Sequence, residues 1–366
     1  MGKRPAAVED LVTPPAAPAA GFWRGRRVLL TGHTGFKGAW AALWLRRAGA
    51  EVHGFALPPE GEPNLWRALG GDVVAGETIG DLRDPDSVRR AVAAARPELV
   101  LHMAAQPLVR RGYRDPAGTF AANTLGTVHL LDALRTVEGL RAALVVTTDK
   151  VYADPGTPRP FVEHDALGGT DPYSASKAAA ELVSRSFAAS FFEPRGVAVA
   201  TARAGNVIGG GDWAEDRLVP DLWRAARTGA PLPLRAPEST RPWQHVLDAL
   251  AGYFVFLEAL ATRAEVPRAL NFAPLPGEEM TAAGMAEIVG PALGYSGWCR
   301  DEGEHPAERP NLALDSALAR SSLGWVPRLP QREAARWTAD WYADFAAGAP
   351  ARALCEAQIA AYEALG

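Results

Sequence analysis

Cysteine is almost missing from this chain. Its 366 residues include two, Cys299 and Cys355, far apart in sequence. That scarcity excludes a disulfide framework and fits a reducing, cytoplasmic setting. Long apolar runs are missing too, since no uninterrupted stretch is long enough to span a bilayer. Nor does one sign of charge dominate. The formal net charge of −4 argues against a dedicated nucleic-acid surface. His164, His245 and His305 lack metal-ligand spacing, so no metal is expected. Residues 1–21 are rich in Ala and Pro and lack the apolar core of a signal peptide. They read as a disordered tail or, more sharply, a docking peptide.

What is present is a globular composition, 48% hydrophobic and 22% charged, long enough for one large or two modest domains. Short apolar runs at Arg27–Thr31, Val52–Leu57, Leu99–Met103, Ala143–Thr147 and Val197–Ala202 read as buried strands. Helical stretches at Ala39–Ala48, Ser87–Ala95 and Thr127–Leu134 fall between them, as does the segment carrying Tyr173 and Lys177. This alternation predicts an α/β fold with a doubly wound parallel sheet buried on both faces. Beyond about Asn206, Pro, Gly and Trp become frequent and segments shorten. We expect a Rossmann domain over 22–204 and a smaller, mainly substrate-binding domain over 205–366. Part of 240–275 is expected to return to the first. A second domain over the strands' carboxyl ends would form the substrate pocket.

The segment Gly32-His33-Thr34-Gly35-Phe36-Lys37-Gly38 follows the first strand and precedes a helix. Glycines at this spacing let the backbone turn sharply and approach a pyrophosphate, and a helix N-terminus supplies amide donors. The context predicts dinucleotide binding. No acidic residue ends the second strand to hold a ribose, and no arginine replaces it for a 2′-phosphate. NAD, loosely held, is the expected cofactor. Asp81 either reaches the adenine amine or closes a turn. His33 and Lys37, bulky and basic for such a loop, either contact phosphate or crowd the cofactor.

Tyr173 and Lys177 are spaced to share one helix face. An adjacent ammonium lowers a phenol's pKa, which suits it to deprotonate an alcohol as hydride leaves for NAD. Thr148 can hydrogen-bond the same hydroxyl, or simply end its strand. Asp149 and Lys150 follow it directly.

Several segments together resemble the extended short-chain dehydrogenase/reductases that act on nucleotide sugars. They are Gly32 to Gly38, Ala104 to Arg111, Asp149-Lys150, Asp171 to Lys177, Arg203 to Trp213 and Arg241 to Val246. The resemblance covers about Arg26 to Pro330, and within that family it is most similar to the 4,6-dehydratases of CDP-glucose. The dTDP-glucose dehydratases usually carry Asp-Glu where this chain has Asp149-Lys150, and sugar 4-epimerases usually carry neither charge.

The resemblance implies oxidation at the sugar C4 through Tyr173, loss of water across C5 and C6, and hydride return to C6. Lys150 would be the base at C5 and Asp149 the acid for the 6-hydroxyl. Each then needs an unusual ionisation state, an ammonium partly neutral and a carboxyl holding its proton. A plain Asp–Lys salt bridge suits neither role, and a pair sharing one proton is a refinement. The resemblance also adds Leu82, Ala104, Ala105, Gln106 and Asn123 to the cofactor set, beside Tyr173 and Lys177. It turns Arg203, Asn206 and Arg241 toward a nucleotide diphosphate. Arg110 and Arg111 line the sugar pocket or begin a solvated helix. Trp213 and Trp243 stack on a base or fill core, at least one filling core. Apolar residues on Thr127–Leu134 and Ala178–Phe187 imply a homodimer or a dimer of dimers. The proline-rich stretch Ala153–Val162 departs from the family and leaves the sugar and base open. A nucleotide-sugar 4-epimerase, with Asp149 and Lys150 as bystanders, is the runner-up, ahead of a non-catalytic NAD-binding scaffold.

Overall fold

The computed structural model describes residues 19–303 and 312–365, apart from Pro155, Pro158 and Glu278. The expectations for most of the N-terminal tail and for His305 lie outside those residues. Seven strands form the central sheet. They are β1 (Arg27–Thr31), β2 (Glu51–Ala56), β3 (Gly76–Ile79), β4 (Leu99–His102), β5 (Ala142–Val146), β6 (Ala198–Ala204) and β7 (Ala269–Phe272). Their spatial order is β7-β6-β5-β4-β1-β2-β3, and every pairing is parallel. β4, β5 and β6 are buried along their whole length because helices cover both faces. This is the doubly wound arrangement, and its strand order reverses between β1 and β4.

Helix α1 (Phe36–Arg47) is buried from Gly38 to Leu45. It lies between the sheet and the C-terminal helices, so no polar face is needed. On the opposite face, α2 (Pro85–Ala95) and α3 (Gly126–Leu134) pack together. Asp84 caps α2 by accepting from the Asp86 amide at 3.0 Å, with Pro85 at the first helical position. α4 (Pro172–Phe187) starts the same way, with Asp171 accepting from Ser174 N at 3.0 Å. That cap fixes Tyr173 in the first turn and Lys177 one turn on.

After β6 the chain crosses the open end of the sheet through α5 (Leu218–Thr228). It returns as α6 (Val246–Thr262), which packs under β5 and β6 and leads to the edge strand β7. α7 (Ala282–Ala292) packs on α5 and on α8 (Gln331–Ala346). α9 (Ala351–Glu363) turns back onto α1, where Tyr362 meets Trp44 edge-on with centroids 5.6 Å apart. The segment expected mainly over the substrate thus also supplies sheet edge and core to the first half. The principal apolar core runs continuously from Trp23 to Tyr362.

Candidate active site

The glycine loop sits at the reversal of strand order. Gly32 has φ +80, and a Cβ there would lie 2.8 Å from the Ala104 amide nitrogen beyond β4. A Cβ on Gly38 would lie 2.0 Å from the Gly32 carbonyl. These glycines let β1 turn tightly onto α1. Gly35 stands just before α1 and is exposed, so the first amides of the helix are offered to a ligand. A dinucleotide pyrophosphate fits this cradle, which is made of backbone and a helix N-terminus.

The side chains of the loop turn elsewhere, which corrects the expectation for several. His33 does not reach a phosphate. Its ring is 0% exposed, packed into the socket left by Gly54 and edge-on to Trp66, with Nε2 2.7 Å from Glu77. Burial lowers its pKa. Thr34 donates to the Leu57 carbonyl at 2.9 Å and ties the loop to the end of β2. Phe36 is partly buried against the principal core. Lys37 points into the reaction centre, with Nζ 5.8 Å from the Tyr253 ring centroid. Burial, then the charges of Arg217 and Lys177, bring it down to about 7.

Asp81 closes a turn, accepting from Arg83 N at 2.9 Å, and its carboxylate grips the Arg83 guanidinium at 2.6 Å. That guanidinium holds its pKa below the usual range. Leu82 is core. Ala104 and Ala105 are half-buried beyond β4, and Thr31 Oγ1 accepts from the Ala104 amide at 3.1 Å. Gln106 folds back on Leu108 and Thr119. Asn123 is buried behind this loop and corrects a second expectation. Its amide holds both backbone groups of Gln106 and the Ser176 hydroxyl at 2.8–3.1 Å, so it braces the loop instead of facing a ligand.

The reactive turn lies past β5. Thr148 caps the short turn Asp149–Val151, which packs on α4. Its hydroxyl donates to Asp149 Oδ1 at 2.8 Å and accepts the Lys150 amide at 3.4 Å. Asp149 is 2% exposed, and its Oδ2 has no hydrogen-bond partner. Gly205 makes room for that oxygen, because a Cβ there would lie 3.3 Å away. Burial raises the Asp149 pKa, against the opposing charges of Lys150 and Arg241 and the Thr148 hydrogen bond. No ion pair joins Asp149 and Lys150 within 4.0 Å among the described residues, so the plain salt bridge is not formed.

Tyr173 faces this turn from α4. Burial pushes its phenol up to about 12, opposed by a Thr148 hydrogen bond and the Arg217 guanidinium. Lys177 lies one turn further along the same helix. Its Nζ donates to the Val146 carbonyl at 2.9 Å, and burial brings Lys177 itself down to about 8. A cation whose charge the phenol feels is Arg217, just before α5 and pinned by Asp212 at 2.9 Å. Sequence reading missed Arg217. The signal was a basic residue five positions after Asp212 in a glycine-rich loop.

Arg203 corrects a third expectation, because it is internal. It is 3% exposed and forks onto Glu181, Nε to Oε1 at 2.9 Å and Nη2 to Oε2 at 2.7 Å. Nη1 donates to the Tyr152 hydroxyl and the Glu163 carbonyl at 2.8 and 2.9 Å. Glu181 also accepts from Thr147 and Thr201 at 2.5 and 2.7 Å. The Tyr152 hydroxyl donates to Asn271 on β7 at 2.6 Å. This network fastens the loop after Lys150 to three strands.

At the substrate end, the Arg241 charge is felt at Asp149. Half-buried Asn206 accepts the Gln244 amide through its carbonyl at 3.0 Å. Arg110 pairs with Asp216 at 3.1 Å and Arg111 with Glu60 at 2.8 Å. Trp243 is buried in the core, and Trp213 packs among Trp223, Trp341, Tyr342 and Phe345. Among the described residues no cluster of three potential metal ligands occurs, and no helix is long and apolar enough to cross a membrane.

Comparison with known proteins follows the same lines. Residues 28–272 match the family model for the NAD dependent epimerase/dehydratase family. The chain is 43% identical to the CDP-glucose 4,6-dehydratase of Salmonella typhimurium, over 84% of this chain and 88% of that one. It is 31% identical to a dTDP-glucose 4,6-dehydratase of Streptomyces antibioticus, over 72% and 75%. Its fold is similar to that of a Thermus thermophilus UDP-glucose 4-epimerase solved with NAD. The TM-score is 0.75 at 26% identity, covering 86% of this chain and 98% of the other.

Proposed function

The chain belongs to the NAD dependent epimerase/dehydratase family, and from that membership we propose that it converts CDP-glucose to CDP-4-keto-6-deoxyglucose. It is an NAD-dependent nucleotide-sugar 4,6-dehydratase. NAD supplies, when bound, the hydride acceptor at C4 and the hydride donor at C6. The exposed amides of Gly35 and the first turn of α1 would hold its pyrophosphate. Lys177 would orient the nicotinamide end beside Tyr173.

Tyr173 takes the proton of the 4-hydroxyl. Its phenol is high in the chain alone, so it needs cations close by, and Arg217 is one. The 4-ketone acidifies the C5 hydrogen. Lys150, with no carboxylate within ion-pair distance among the described residues, removes that proton. Asp149 donates to the departing 6-hydroxyl. Arg241 would meet the nucleotide diphosphate, and cytosine recognition would fall to loops beyond α5.

One observation carries the choice of dehydration over epimerisation. Asp149 is buried, half-unpartnered and pushed toward its protonated form. A 4-epimerase has no use for a proton donor there, whereas elimination of a hydroxyl requires one. Incubation with CDP-glucose and NAD tests the reading. The expected product lacks one water, with no net consumption of NAD. A product of unchanged mass with inverted C4 would support the epimerase instead.

The protein pairs with itself in this reading. Leu125 beside α3 and Leu182 on α4 are 53% and 49% exposed. A second copy meeting these helices would bury both in a four-helix interface. A strictly monomeric mass at micromolar concentration contradicts the pairing.

A further inference from the structure

A buried chain of hydrogen bonds runs behind the site, and the steps above make no use of it. Thr31 ends β1, immediately before the glycine loop. Its Oγ1 accepts the Met103 and Ala104 amides, both at 3.1 Å. That oxygen lies 2.7 Å from His102 Nδ1 at the end of β4. His102 Nε2 lies 3.2 Å from Thr127 Oγ1 on α3. Thr127 donates to the Asn123 carbonyl at 2.7 Å, in the π-helical turn Ala121–Leu125 that leads into α3. The Asn123 amide donates to Ser176 at 2.9 Å, and Ser176 to the Tyr173 carbonyl at 2.7 Å. Thr31, His102, Thr127, Asn123 and Ser176 are all buried.

The hydroxyls fix the state of the imidazole. Thr31 Oγ1 already accepts two amides, so its own hydrogen is directed at His102 Nδ1. The Thr127 hydrogen is committed to the Asn123 carbonyl, so its oxygen takes the hydrogen on Nε2. His102 is therefore the neutral Nε2–H tautomer, acceptor on one side and donor on the other. A second proton would set an N–H against the Thr31 hydroxyl hydrogen. Burial, then the Lys177 charge, brings the ring down to about 3, in keeping with that state. Every donor then points the same way, from the cofactor loops toward α4. A planar ring between two hydroxyls is a rigid spacer. β1 and β4 border the reversal of strand order, where a dinucleotide binds, and α4 carries the phenol.

We propose that His102 is a positioning residue, which through Thr31 and Thr127 sets the cofactor loops against the helix that carries Tyr173. It touches neither NAD nor sugar. It acts by holding Tyr173 in register with the loops that would hold NAD, the spacing on which hydride transfer from C4 depends. Reacting groups misplaced by about 1 Å lose about a hundredfold in rate. Ordering of the loops by NAD is passed along the same chain to α4. The inference rests on the NAD-dependent reading above, and within it on oxidation at C4 alone, which dehydration and 4-epimerisation share.

The test compares native protein with Thr127→Val, His102→Phe and His102→Gln. The first reading needs no sugar. Hydrogen exchange of the α4 amides is followed with and without NAD. NAD should slow it in native protein, and in Thr127→Val and His102→Phe the slowing should stay within the loops after β1 and β4. The second reading is single-turnover formation of NADH on mixing with CDP-glucose. In the same two variants it should be about a hundredfold slower, with NAD affinity near native and a larger isotope effect from deuterium at C4. His102→Gln retains one acceptor and one donor and should recover most of that loss. A Gln variant no faster than His102→Phe counts against the proposal. A ring that only fills core gives lower melting temperatures, native rates per folded molecule and an unchanged isotope effect. That result, or α4 exchange that answers NAD alike in native and variant proteins, overturns the positioning role. Thr127→Val removes one hydroxyl and keeps the branched shape, so it decides alone if His102→Phe does not fold. Native protein that forms no NADH with CDP-glucose overturns the substrate reading, and the exchange experiment still decides the role of His102.

Discussion

Two carboxylates lie one strand end apart, and the molecule treats them in opposite ways. Glu181 and Asp149 are 4% and 2% exposed, so both have lost their water. Glu181 regains it in full from Thr147, Thr201 and both edges of the Arg203 fork. Asp149 receives a hydrogen bond from Thr148 on one oxygen and nothing on the other. A buried charge is tolerable when paired and hydrogen-bonded, and otherwise its pKa moves until it is neutral. Burial with partners makes Glu181 a rivet. Burial without them makes Asp149 an acid.

The sharpest way to break this contrast is to neutralise Asp149. Asp149→Asn should lower turnover by about a hundred- to ten-thousand-fold, the usual contribution of a placed proton donor. It should not loosen the fold. The folded pKa of Asp149 is raised, so its contribution to stability is full below the unfolded pKa and lost as pH rises through the folded one. Asp149→Asn should therefore be at least as stable as native at neutral pH, with the two converging in acid. Thermal melts at both pH values check it, and a large loss of stability at neutral pH would class Asp149 with Glu181. Lys150→Met in the same turn should leave C4 oxidation possible while suppressing exchange of the C5 proton with deuterated solvent.

Arg203→Met should do the reverse. Leaving Glu181 buried without its partner costs about 3–5 kcal/mol. Urea unfolding should show that loss, and activity per folded molecule should fall much less than in Asp149→Asn. Tyr152→Phe removes one hydroxyl from the same network, a loss of about 0.5–1.5 kcal/mol by the same measurement. The smallest effect concerns the cofactor loop. Lys37 sets a bulky amine inside the site, and no acid ends β2 to hold a ribose. Added NAD should therefore raise the activity of isolated protein by a few-fold at most, roughly one kcal/mol of binding. Protein fully loaded as isolated and indifferent to NAD contradicts this.

Much of the sheet could be read from its apolar runs, because buried parallel strands are continuous in sequence. β3 could not. Gly76-Glu77-Thr78-Ile79 lies at the sheet edge with alternate residues exposed, so it carries polar residues and no run. The reactive turn was legible because Thr148, Asp149 and Lys150 are neighbours in sequence. Arg203 misled because a guanidinium suits a carboxylate fork as well as a diphosphate. Only the fold reveals that Glu181, 22 residues earlier, is its partner. His33 misled similarly, since its socket is made by Gly54 on another strand. Local chemistry was readable, and long-range choice of partner was not.

The position of β7 carries a consequence for how the enzyme comes into being. This strand completes the sheet, and its Asn271 receives the Tyr152 hydroxyl that fixes the loop behind Lys150. A nascent chain released as far as Ala204 already contains the glycine loop, the reactive turn and α4. It still lacks the edge that holds them in register. Contacts of such long sequence separation form late. A chain that stops short of residue 272 therefore lacks the strand whose Asn271 braces the loop behind Lys150.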